Sequence, residues 1–136
     1  MPGTPELRLT IMRLARRLRA QRADGEVADN QRSVLFFLND NGAQSLGAAA
    51  EHDMISPPSM NRIVNALVER GYVTRVTNAE DARKVSIEIT DTGRTFVKET
   101  RRKRDAWFAS RLAKLTPEER AILDRAAPVL RKLSDS

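Results

Sequence analysis

Ser56-Pro57-Pro58-Ser59-Met60-Asn61-Arg62-Ile63-Val64-Asn65-Ala66-Leu67-Val68-Glu69-Arg70-Gly71-Tyr72-Val73-Thr74-Arg75, followed by the polar turn Asn78-Ala79-Glu80-Asp81-Ala82-Arg83-Lys84 and then Val85-Ser86-Ile87-Glu88-Ile89-Thr90-Asp91-Thr92-Gly93, decides the fold of this chain. Ser56 is a good N-cap, and Pro57 suits the first helical position, where its missing N–H costs nothing. Pro58 is tolerated because the first-turn amides have no intrahelical acceptor. Met60, Ile63, Val64, Leu67 and Val68 fall on one face, while Pro58, Arg62, Asn65 and Glu69 point the other way. Gly71 stops the helix. Residues Tyr72 to Thr77 and Val85 to Ile89 alternate as two strands, joined by a turn longer than a minimal hairpin. Thr90 then caps a new helix.

Immediately upstream the pattern is helical again. Asp29 or Asn30 can cap a helix through Val34, Leu35, Phe36 and Leu38, which Asn39-Asp40-Asn41-Gly42 ends. Ser45-Leu46 is a candidate short strand, and Leu46 to His52 gives about two alanine-rich helical turns. Met54-Ile55 turns the chain into Ser56. Two short helices joined by a tight turn, the second well capped, form a helix-turn-helix pattern. A recognition helix followed by a basic hairpin fits two adjacent grooves of a DNA duplex.

Both ends of the chain read as amphipathic helices. Thr4 as cap, Pro5 and Glu6 start one that runs to about Arg22, with Leu7, Ile11, Leu14 and Leu18 as its stripe; Asp24-Gly25-Glu26 breaks it. The helix after Thr90 extends to about Lys114, with Phe96, Val97, Trp107, Phe108 and Leu112 as its larger apolar residues. The rings of Trp107 and Phe108 are expected in packing, and the run Arg101 to Arg104 on a solvated face. Thr116-Pro117-Glu118-Glu119 is a capping box opening a last helix with Ile122, Leu123, Ala126, Val129, Leu130 and Leu133. Pro128 should kink that helix or shift its start. The central motif is too small to cover these stripes, so they are expected to pack on a second copy.

Composition narrows the function. Lys plus Arg number 24 against 18 Asp plus Glu, a net charge of +6 and a pI of about 10.5, which favours a polyanionic partner and nucleic acid above all. The chain has no cysteine and a single histidine, His52. Disulfides, thiol redox chemistry and His- or Cys-based metal clusters are excluded. No phosphate-binding glycine loop or clustered acidic site suggests an enzyme, so no catalytic residue, metal or cofactor is expected. No apolar run reaches the roughly 18 residues of a membrane span. Arg8, Arg13, Arg16 and Arg17 interrupt any secretory core near the N-terminus, so the expected location is cytoplasmic.

The element order helix, helix, short strand, helix, helix, two-stranded wing, long helix, helix resembles the MarR family of winged helix-turn-helix transcriptional regulators. The match is carried by Ser56 to Val64, by Leu67-Val68-Glu69-Arg70-Gly71-Tyr72-Val73-Thr74-Arg75, by the Asp-x-Arg wing Asp81-Ala82-Arg83-Lys84, and by the helix entry Ile89-Thr90-Asp91-Thr92-Gly93. Ile89 replaces the usual leucine of that entry. The resemblance implies a mainly α fold with a small β-hairpin wing, forming one domain over residues 1–136. In it, 30–92 make the winged helix-turn-helix lobe, and 4–23 with 91–134 supply dimerisation helices. It further implies an obligate homodimer, a repressor of a pseudo-palindromic double-stranded DNA operator. A small phenolic or anionic effector is implied between the dimer helices and the DNA-binding lobe.

The residues support these roles on their own chemistry. Ser56, Pro58, Ser59, Asn61 and Arg62 give the N-terminal end of the recognition helix the short polar and flexible groups that base edges and phosphates require. Arg83 at the wing tip suits a narrow minor groove. Asp81 repels phosphate unless it pairs with Arg83 or another arginine and directs it. Arg75 and Lys84 flank the wing as phosphate contacts. The competing reading is a winged-helix protein-interaction module that does not read DNA sequence; the cationic wing argues against it.

Overall fold

The computed structural model describes residues 3–21 and 27–135. The chain forms two compact units, residues 22–101 and residues 1–21 with 102–136.

The first of these holds α2 (Asp29–Asn41), β1 (Gln44–Ser45), α3 (Leu46–Asp53), α4 (Pro57–Glu69), β2 (Val73–Thr77), β3 (Val85–Ile89) and the start of α5 (Asp91–Leu112). The strands form an antiparallel sheet in the order β1-β3-β2, with Arg75 opposite Ile87 and Thr77 opposite Val85. β1 pairs Gln44 with Ile87 and thereby pins the hairpin to the helices. Leu35 and Leu38 from α2, Ala49 and Ala50 from α3, Met60, Val64 and Leu67 from α4, Ile87 from β3 and Val97 from α5 are almost fully buried together. Burying a leucine-sized side chain contributes about 1.5–3 kcal/mol, so this cluster is what holds α4 in place. Val68, expected on the same face, is 37% exposed because it lies at the edge of the stripe.

Local chemistry fixes the boundaries. The side chain of Ser45 caps α3 by accepting the Ala48 N–H. Met54 follows α3 with φ 58°, a left-handed residue that is not glycine, and turns the chain into α4. That conformation costs roughly 1–2 kcal/mol in an L-residue. The N-cap of α2 is Ala28, not Asp29 or Asn30. Asp29 instead pairs with the guanidinium of Arg32, which also donates to the Val27 carbonyl. Arg32 is 2% exposed. A buried cation needs a counter-charge more than the helix needs a side-chain cap.

Asp40 near the end of α2 accepts from Arg101 Nη2 at 2.7 and 2.8 Å, and Arg101 also lies over the Phe36 ring at 5.2 Å. The hydrogen bonds from Arg101 hold the Asp40 carboxyl below its ordinary range, against a smaller opposing effect of burial. Arg101 therefore bridges α2 and α5 while remaining exposed, like Arg102 and Lys103, so the expected solvated face carries an ion pair.

The second unit holds α1 (Thr4–Arg19), the remainder of α5 and α6 (Pro117–Ser134). Gly3, not Thr4, is the N-cap of α1, and Thr4 and Pro5 take its first two positions, where no amide needs an acceptor. α1 ends at Arg19, short of Arg22, where the Gln21 N–H turns to the Leu18 carbonyl and the Gln21 side chain donates to the Arg17 carbonyl. Arg104 Nε in turn donates to the Gln21 carbonyl at 3.2 Å, and Arg104 is half-buried, the one member of the run from Arg101 that is not exposed. The expected break at Asp24-Gly25-Glu26 lies outside the described residues. Trp107 sits between two guanidiniums, Arg17 at 5.5 Å and Arg111 at 5.1 Å from its ring.

The capping box of α6 is complete: Thr116 Oγ1 accepts the Glu119 N–H at 3.1 Å and Glu119 Oε1 accepts the Thr116 N–H at 2.9 Å. The box fixes the start at Pro117, and the helix continues through Pro128, so the start is not shifted. Neither α1 nor α6 buries a single residue. Leu7, Leu9, Ile11, Met12 and Leu14 on α1, with Ile122, Val129 and Leu133 on α6, are 41–66% exposed.

Candidate nucleic-acid interface

The N-terminal end of α4 is open to solvent. Ser56 caps it, accepting the Ser59 N–H at 3.3 Å and donating its hydroxyl to Ser59 Oγ at 3.0 Å. Pro58, Asn61 and Arg62 are exposed and Ser59 is half-buried. The apolar stripe of the same helix is buried in the core, so the polar end is turned outward by burial of the opposite face. Arg62 borders an open cleft of about 620 Å³ that it shares with Asp29, Ser33, Asp53 and Ser59. His52, in the last turn of α3, stacks on Phe37 at 4.2 Å and lies 2.7 Å from Asp53, which also accepts from Ser33. It is a helix-end residue, as its place in the sequence suggests.

The wing tip is built around two short polar side chains. Asn78 Oδ1 accepts the N–H groups of Glu80 at 2.8 Å and Asp81 at 3.2 Å, shaping the turn. Asn78 N–H donates to the Lys84 carbonyl at 2.8 Å and closes the hairpin, while the Lys84 N–H donates to the Asp81 carbonyl. Asp81 Oδ1 accepts both the backbone N–H of Arg83 at 3.0 Å and its Nε at 3.2 Å. The Arg83 side chain is 91% exposed and that of Asp81 only 31%. Asp81 therefore lies against the turn and grips the root of an arginine that projects beyond it. Lys84 is also exposed.

Arg75 leaves β2 toward α4 and donates from Nη2 to Asn61 Oδ1 at 2.9 Å. The wing and the recognition helix are thus joined by side chains as well as by the chain. The turn itself was expected from the sequence, but neither the bonds of the Asn78 side chain nor this pair was. An asparagine opening a polar turn is a signal for the first; nothing local signals the second, whose partners lie 14 positions apart.

The entry to α5 locks the wing's base to the core. Thr90 Oγ1 donates to the Gly71 carbonyl at 2.6 Å and accepts the Gly93 N–H at 3.1 Å. Thr90 N–H donates to the Tyr72 carbonyl at 3.0 Å. Gly71 has φ 77°, the left-handed conformation that glycine adopts without penalty. The Thr-x-x-Gly spacing is thus a device that joins the end of α4, the start of β2 and α5.

Among the described residues no group of three or more His, Cys, Asp or Glu can hold a metal ion. None of their helices is long and apolar enough to cross a membrane.

Known proteins share this fold. A model of the MarR family matches residues 27–84. The chain is 38% identical over 130 residues to the HTH-type transcriptional regulator Mb0904 of Mycobacterium bovis, covering 96% of this chain and 91% of the relative. A transcriptional regulator protein of known structure from Pseudomonas aeruginosa superposes with a TM-score of 0.85 at 26% identity, covering 96% of this chain and 92% of that one. BpsR of Bordetella bronchiseptica, whose structure was solved in a study of how 6-hydroxynicotinic acid regulates its DNA binding, is 27% identical with a TM-score of 0.65, covering 96% and 91%.

Proposed function

This chain belongs to the MarR family of DNA-binding transcriptional regulators, and from that premise we propose that it represses transcription as a homodimer bound to a pseudo-palindromic operator. The observation that carries the reading is the wing: an acid half-withdrawn from solvent holds an arginine out at the tip of a hairpin, beside a helix whose polar N-terminal end is free. An arginine so held is suited to a minor groove, and Ser56, Pro58, Ser59, Asn61 and Arg62 are suited to the neighbouring major groove. Arg75 and Lys84 add positive charge at the wing's base. The exposed apolar stripes of α1 and α6 supply the surface for a second copy.

Two copies place two recognition helices on one face of the duplex, with half-site centres about one helical turn, ~10 bp, apart. Each copy brings a net charge of +6, so affinity falls steeply with salt through counterion release. The effector belongs to the class of small aromatic acids, as the regulation of BpsR by 6-hydroxynicotinic acid suggests. The work is done in the cytoplasm, on DNA.

Footprinting on genomic fragments retained by the protein tests the reading. The expected result is a protected inverted repeat whose affinity drops with salt, and whose base preference relaxes in Arg62→Ala. A single asymmetric half-site, or affinity flat in salt, overturns it. Retention of proteins but no DNA supports an interaction module instead.

A further inference from the structure

We infer that Arg75 is a positioning residue for base readout: it fixes the side-chain amide of Asn61 so that this residue offers the DNA a donor and not an acceptor. The inference rests on the proposal that α4 enters the major groove, and it reassigns Arg75 from a backbone contact to a determinant of specificity.

An asparagine amide can rotate by half a turn and exchange its donor for its acceptor at almost no steric cost. A free asparagine on a recognition helix therefore adapts to the base it meets, and reads adenine well by accepting from N6 while donating to N7. Asn61 lacks that freedom. Its partner is a guanidinium, which has five donors and no acceptor, so only the amide oxygen can face it. Arg75 Nη2 lies 2.9 Å from that oxygen. With Oδ1 turned to the wing strand, Nδ2 is the group directed away from it.

The charge of the partner makes this orientation stiff. A hydrogen bond from an ionised donor is roughly twice as strong as a neutral one, and it strengthens further when water leaves the groove. In solution both side chains are exposed, so the pair does little for folding stability. Its consequence is for recognition. Oδ1 keeps a second lone pair, but it lies beside the guanidinium, so the remaining N–H groups of Arg75 and the Nδ2 of Asn61 together form a surface in which donors predominate. In the major groove guanine shows two acceptors, N7 and O6, whereas adenine shows one acceptor and one donor. The pair therefore selects guanine over adenine at the base pair beneath Asn61.

The test is base preference, measured by binding titrations of the full-length protein against operator variants carrying each base pair at the position that Asn61 protects. The parent is expected to favour guanine over adenine there by about tenfold, the discrimination of one good base contact. Arg75→Ala is expected to reduce that ratio to about twofold or less, Arg75→Lys to retain most of it, and Arg75→Ala in an Asn61→Ala background to change it no further. If Arg75 serves only phosphate, Arg75→Ala weakens all four operators equally and lowers the salt slope by about one; that result overturns the proposal. A parent that binds DNA with no preference at any position would instead defeat the proposed function itself.

A second measurement needs no DNA. In the parent the Asn61 side-chain NH2 should give a pair of nuclear magnetic resonance signals displaced from those of a free asparagine and with restricted motion, and in Arg75→Ala a pair moved toward the free values and narrowed by faster side-chain motion. An unchanged pair counts against the positioning role, even if the variant's affinity cannot be measured.

Discussion

Gly93 faces the carbonyl of Tyr72 with no room for a side chain: a Cβ at Gly93 would collide with the Tyr72 oxygen and lie 2.6 Å from Ile89 Cγ1. That oxygen cannot withdraw, because it accepts the Thr90 N–H at 3.0 Å. Gly93 sits in the first turn of α5 and is buried, so the contact sets how closely the helix approaches the base of the wing. Gly93→Ala should therefore destabilise the fold by about 2–3 kcal/mol, as overpacking against backbone does. Gly71→Ala meets no atom within 4 Å but must hold φ at 77°, and should cost only about 1–2 kcal/mol. Urea denaturation of both variants checks the order; equal midpoints would mean that the chain relaxes at Gly93.

At the wing, removing an acid should weaken binding to a polyanion. Asp81→Ala frees Arg83 from the bonds at 3.0 and 3.2 Å that direct it, and affinity should fall although the net charge becomes more favourable. Arg83→Ala should cost about 1–3 kcal/mol of operator binding, at fixed salt. Thermal melts should stay close to the parent, since Arg83 is 91% exposed. Tighter binding by Asp81→Ala would remove the orienting role.

The exposed stripes on the terminal helices predict assembly. Light scattering at micromolar concentration should give twice the chain mass, and the melting temperature should rise with concentration. Leu133→Glu, at a position 66% exposed in one copy, should shift the mass toward monomer. On a surface that remained free, the same change would alter stability by no more than about 0.5 kcal/mol. A parent that stays monomeric defeats the dimer.

The clamp between Asp40 and Arg101 predicts an acid-side dependence of stability. The folded carboxyl has its pKa lowered, chiefly by the hydrogen bonds from Arg101. Its contribution is thus fully present above the ordinary carboxylate range and is lost as pH falls through the lowered folded value. Both side chains are about half exposed, at 45% and 48%, so the contribution is below about 1 kcal/mol after screening. Asp40→Asn should flatten the loss of stability between pH 5 and 3 by that amount, read from urea midpoints; an unchanged slope would place the acid sensitivity elsewhere.

Much of the local structure was legible in the order of the residues. Ser56 with Pro57, Thr116 with Glu119, the glycine at position 71 and the alternation in Val85 to Ile89 each act within a few residues, so α4, α6 and the wing strands were legible from spacing. Burial of Met60, Ile63, Val64 and Leu67 followed from the helical period. Tertiary structure decided which polar side chains have partners. Asp29 left its capping role because Arg32 is buried beside it, and the exposed Arg101 and half-buried Arg104 found Asp40 and the Gln21 carbonyl opposite them. Arg75 meets Asn61 only because β2 folds back along α4. Helix caps and apolar periods are short-range and repeat along the chain, whereas a hydrogen bond between distant side chains depends on the path of the backbone between them. The donor surface proposed for base readout belongs to that second kind.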